Sequence, residues 1–136
     1  MAALDTLDYV TIGTAGNATD FGNLTAADVH LCTANSIVRG LIFSGQQRTQ
    51  AIDYITIASA GNAADFGDHK STANSRYGWC VHNKLYAYYG RTNVNHQEKH
   101  TIATAANATS FVFSDIGDMG HSYTTAPIKG WIAASG

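Results

Sequence analysis

The sequence predicts an all-β protein made of three four-stranded repeats of about 45 residues. Three observations carry this. GNATDFG at 16–22 returns as GNAADFG at 61–67 and, altered, as ANATSFV at 106–112, each step 45 residues. Apolar residues alternate or fall in short β-branched and aromatic runs, with no 3.6-residue period. Thr, Ala, Gly, Asn and Tyr are frequent beside a single Pro, a composition that suits strands and tight turns.

The first unit sets the pattern. Residues 9–12, YVTI, are β-rich and form the first predicted strand. Ala-Gly-Asn at 15–17 is a turn signal, because Gly and Asn tolerate positive φ. Residues 18–24 make a second strand with Phe21 as its apolar anchor, and 29–33 a third. Asn35-Ser36 turns the chain into a mostly apolar fourth strand at 39–44, and 45–50 is a polar loop. Shifted by 45, DYVTI lies over DYITI at 53–57 and EKHTI at 98–102. Asn17, Asn62 and Asn107 coincide, as do Phe21, Phe66 and Phe111. The alignment needs no gap, which predicts equal loop lengths in units of about 1–45, 46–90 and 91–136 within one repeat domain. The repeated Asn is expected to serve the turn and the repeated Phe the core.

DYVTIGTAGNATDFGNLT followed by VRGLIFSG resembles the kelch-like β-propeller repeats of phage and bacterial proteins. The resemblance covers essentially the whole chain and weakens toward the third unit, where Ser110 and Val112 replace Asp65 and Gly67. It implies blades of a propeller. Three blades are too few for a ring, which usually has about 4–8. Completion by oligomerisation, as a dimer forming six blades, is therefore expected, with a threefold β-trefoil or β-prism as the alternative. The last strand ends where the first would continue it, so one blade is built from both chain ends. The resemblance also implies a virion component, a tail or capsid decoration; an extracellular or cytoplasmic protein without a cleaved signal is the alternative.

Composition narrows the function classes. Hydrophobic residues at 45% argue for a packed core, and eight Lys+Arg against ten Asp+Glu supply no basic field for nucleic acid. No apolar run approaches the ~18 residues of a membrane span, so no membrane insertion is expected. The start, MAALDTLDYVTI, lacks the charge and apolar core of a signal peptide.

The chemistry-bearing residues form no recognised constellation. Asp-Phe-Gly at 20–22 and 65–67 matches the metal-binding triplet of kinases, but no other kinase element accompanies it. Asp20 with Asn23, and Asp65 with Asp68, decay to Ser110 and Phe113 in the third unit, so they read as turn residues rather than a calcium site. His30, His69, His82, His96, His100 and His121 show no zinc spacing. No nucleophile elbow is present. The expectation is no catalytic residue, no metal and no cofactor: a non-enzymatic structural or interaction protein. Cys32 and Cys80 occupy different places in the unit and are expected as two partly buried thiols. The sequons at Asn17, Asn23 and Asn107 are expected to be incidental to the turns. The second unit alone is rich in aromatics. Trp79, His82, Tyr86, Tyr89 and Arg91 are the candidate contacts for a ligand or partner, since aromatic platforms stack on sugar rings and anchor interfaces. The expected partners are a second copy and other virion proteins or surface glycans; a carbohydrate-binding lectin or receptor-binding module is the alternative function.

Overall fold

The computed structural model describes residues 2–45, 50–70, 78–82, 85–91, 96–110, 123–125 and 130–132. Within them the protein is all-β, with no helix. Twelve strands run in chain order: β1 (Leu4–Tyr9), β2 (Thr19–Asp28), β3 (Cys32–Asn35), β4 (Arg39–Phe43), β5 (Ala51–Thr56), β6 (Ala64–Asp68), β7 (Gly78–His82), β8 (Tyr86–Arg91), β9 (His96–Thr101), β10 (Thr109–Ser110), β11 (Tyr123–Thr125) and β12 (Gly130–Ile132). They form four antiparallel sheets: β1-β2, β3-β4-β5-β6, β7-β8-β9-β10 and β11-β12. Among the described residues the sheets do not close into a ring, and β1 and β12 do not pair with one another.

The sheets are out of phase with the sequence units. Each four-stranded sheet joins the last two strands of one unit to the first two of the next. The hairpin β1-β2 recurs 45 residues on as β5-β6: Leu7 faces Gly22 and Asp8 faces Asp20, as Ile52 faces Gly67 and Asp53 faces Asp65. In both, the Phe between (Phe21, Phe66) is the extra residue of a β-bulge, which bends the strand and aims a side chain. The Gly after it has φ of 146° and 141°, a region an L side chain rarely adopts. A Cβ on Gly67 would also lie 2.6 Å from Ala106 of the following turn.

Two features differ from the sequence expectation. The first strand ends at Tyr9, and Thr11 to Thr14 instead makes a turn, closed by the Thr14 N–H to the Thr11 carbonyl; Thr56–Ser59 and Thr101–Thr104 do the same. Second, the units do not share loop lengths. Residues 44–50 separate β4 from β5, whereas 92–95 separate β8 from β9. Strand β8 pairs with β9 two residues out of the register that a constant 45-residue step requires, Tyr86 facing Thr101 rather than Lys99. The aligned side-chain pattern tolerates this because a two-residue slip keeps every side chain on its face.

The sheets stack face to face. Leu7, Leu24, Ile42, Ile55 and Ala63 pack β1-β2 onto the sheet β3–β6. The other face of that sheet contributes Ala34, Leu41, Phe43, Ile52 and Phe66 to the main core, completed by Ala87, Tyr89 and Ile102. Cys32 on β3 and Cys80 on β7 are joined in a disulfide, with Cα atoms 6.3 Å apart. This corrects the expectation of two thiols. The bridge spans neighbouring sheets, where different offsets of the unit come face to face, so it need not repeat.

Candidate functional site

The seams between sheets concentrate the polar chemistry. In the first seam the buried Asp53 carboxylate accepts the Thr25 N–H at 2.9 Å and the Thr25 hydroxyl at 2.7 Å. Asn62 Oδ1 accepts the Asn23 N–H at 3.1 Å, and Ala63 N–H donates to the Asn23 carbonyl at 2.8 Å. In the second seam, 45 residues on, Glu98 Oε1 accepts the Lys70 N–H at 2.6 Å, Asn107 Oδ1 accepts the Asp68 N–H at 3.1 Å, and Ala108 N–H donates to the Asp68 carbonyl at 2.9 Å. A carboxylate and an amide thus clasp the backbone of the preceding sheet at each junction. Asn62 and Asn107 therefore do more than shape a turn: they satisfy backbone donors across a seam.

Among the described residues, the same positions in the first unit are exposed. Asp53 and Glu98 are 0% exposed and Ala63 and Ala108 are buried, but Asp8 and Ala18 are exposed; the Asn is exposed in all three units. Val10 is 58% and Leu4 67% exposed. Beside them an apolar cleft of about 390 Å³ is lined by Tyr9, Val10, Phe21 and Ile57. Phe21 is half-buried where Phe66 is buried. Phe111 lies outside the described residues.

The second seam carries residues the first lacks. His69 stands where the first seam has Leu24, His100 where it has Ile55, and Glu98 where it has Asp53. All three are buried. His69 Nδ1 lies 2.8 Å from Glu98 Oε2, and His100 Nε2 lies 3.5 Å from the same oxygen. One ligand atom from each falls within 4.8 Å of the others. Aromatic rings wall the group: Tyr89 stacks on His69 at 4.2 Å between centroids and on Phe43 at 5.2 Å, and Phe43 and Phe66 pack edge-on to His100. Sequence spacing hid this set. His69 and Glu98 are 29 residues apart, and Glu98 and His100 share one face of β9 only because the residue is a strand residue.

Among the described side chains, Tyr86 and Tyr89 lie on opposite faces of β8. Tyr89 is 1% exposed in the core, which corrects its assignment as a surface contact: the alternation of β8 turns it, with Ala87, toward the neighbouring sheet. Tyr86 is half-buried on the opposite face, with Lys99 Nζ 3.8 Å from its ring centroid. His82 is half-buried on β7. Trp79 and Arg91 lie on β7 and β8, with side chains outside the described set. No helix among the described residues is long and apolar enough to cross a membrane. No family model, no curated protein and no solved structure matches the chain.

Proposed function

We propose that this protein is a non-enzymatic scaffold whose sheets are blades of a kelch-like propeller completed between two copies. One observation carries the reading. The front of β1-β2 exposes the carboxylate and alanine (Asp8, Ala18) whose counterparts are buried at each later seam. A unit of another copy supplies the missing neighbour. Among the described residues β1 pairs with β2 alone, and β11-β12 is a two-stranded sheet. Its register repeats that of β3-β4: Thr124 faces Trp131 as Ala34 faces Leu41, 90 residues earlier. Strand β12 is therefore the counterpart of β4, and β1 the counterpart of β5. Since Leu41 faces Tyr54, Trp131 of one copy faces Tyr9 of the other. Two whole sheets and two half-sheets per chain then make six four-stranded blades, within the usual range.

The setting we propose is a virion platform, a tail or capsid decoration; the support is the resemblance of DYVTIGTAGNATDFG and VRGLIFSG to phage propeller repeats. Glycan recognition is less well supported, because Tyr89 is used in the core. Mixing a Tyr9→Cys variant with a Trp131→Cys variant tests the strand pairing. A disulfide-linked species of twice the chain mass, absent from either variant alone, is expected under mild oxidation. No mixed cross-link, with both variants folded, overturns the pairing.

A further inference from the structure

We infer that His69, Glu98 and His100 form a binding site for a divalent first-row transition ion, of which zinc is the probe, clamping the second seam. The comparison of the two seams is the starting point. Leu24 and Ile55 pack the first seam as hydrocarbon, and the repeat asks nothing else of these positions. In the second seam both are histidine, both buried, on either side of the clasping carboxylate. Burying an imidazole where an aliphatic side chain suffices is unfavourable unless its nitrogens find partners, the shortfall being about 1–3 kcal/mol per group.

His100 shows that the protein's own donors and acceptors leave this shortfall open. It is 3% exposed, and neither of its ring nitrogens makes a hydrogen bond. Its Nε2 points toward Glu98 Oε2 from 3.5 Å, close enough to share an ion with that oxygen. The other oxygen, Oε1, is held by the Lys70 N–H, which fixes the carboxylate plane as outer partners of metal ligands do. Two imidazoles and one carboxylate suit zinc and its neighbours better than magnesium or calcium. Zinc-to-ligand bonds of about 2.0–2.2 Å place ligand atoms roughly 3.4 Å apart in a tetrahedron. The set, within 4.8 Å, closes on an ion by a shift of about 1 Å. Three protein ligands leave the fourth tetrahedral position to a water, and the walls of Phe43, Phe66 and Tyr89 mean that the ion loads during folding.

The experiment uses the full chain, unfolded in chelator and refolded with or without one equivalent of zinc. The variant His69→Leu with His100→Ile copies the residues of the first seam. The wild type is expected to retain about one zinc per chain after desalting and to melt at least about 5 °C higher when loaded. Cobalt in place of zinc is expected to give a visible d–d spectrum. The double variant is expected to fold, to retain no zinc and to melt at one temperature in both conditions. Equal melting temperatures and no retained zinc in the wild type overturn the site. So does a double variant that keeps the ion.

Discussion

Asp53 shows how much one side chain can hold. Its carboxylate is fully buried and takes both polar groups of Thr25. Replacing it by Ala leaves the part-buried N–H and hydroxyl of Thr25 without that acceptor. Asp53→Ala is expected to lose about 2–4 kcal/mol, measured by denaturant unfolding at neutral pH. Asp8→Ala, the matched change on the exposed front of the first unit, is expected to leave the unfolding free energy of the single chain within about 0.5 kcal/mol. Gly67 makes a second residue-scale test. Its φ of 141° and its contact with Ala106 exclude a side chain for two separate reasons. Gly67→Val is expected to cost at least about 2 kcal/mol, read by the same unfolding curve. At this scale the sequence was informative where one residue does one local job. The Gly after Phe21 and Phe66 was visible as part of a phrase. Tyr89 was not, because its burial depends on which sheet its strand meets. The His69–Glu98–His100 group was visible only as a difference between units: Leu24, Asp53 and Ile55 become His, Glu and His at the 45-residue step.

Among the elements, the hairpins were the most legible. The second strand, expected at 18–24, lies within β2 (Thr19–Asp28), but the first, expected at 9–12, ends at Tyr9, and the bulges at Phe21 and Phe66 had no sequence signal of their own. Strands whose register depends on a loop were less so. The shorter 92–95 connection moves β8 by two residues against β9, and nothing in the residue pattern forbids it, because period-two faces survive an even slip. Arg39 links elements in a way no local pattern shows. It lies over the Tyr54 ring, 4.4 Å from its centroid, and donates to the Ile102 and Ala103 carbonyls at 3.2 and 3.0 Å. The Cys32–Cys80 bridge was equally hidden, since β3 and β7 become neighbours only when sheets stack. It closes a loop with a sequence separation of 48, for which the chain-entropy estimate is about 4 kcal/mol. Reduction, or Cys32→Ser with Cys80→Ser, is expected to lower stability by up to about that amount in denaturant titrations, while the sheets remain β by circular dichroism.

For the whole molecule, composition and the three-part repeat indicated all-β architecture, and the structure has it. The chain ends gave the expectation of a blade built from both; which surfaces of the described residues stand exposed is legible only in the structure. The structure supplies that comparison: the clasp of Asp53 and Asn62 is made, that of Glu98 and Asn107 is made, and Asp8 is exposed where Asp53 and Glu98 are buried. Under the proposed closure, placing a positive charge at Asp8 or Asn17 should keep the fold and separate the copies, because both side chains are exposed in the single chain. The most direct measurement is therefore solution mass by light scattering, on the wild type and on Asp8→Lys with Asn17→Lys, across micromolar concentrations. Closure between two copies predicts twice the 14.4 kDa chain mass for the wild type and a folded single chain for the double variant. A wild type that stays at 14.4 kDa throughout, folded and stable, would contradict it.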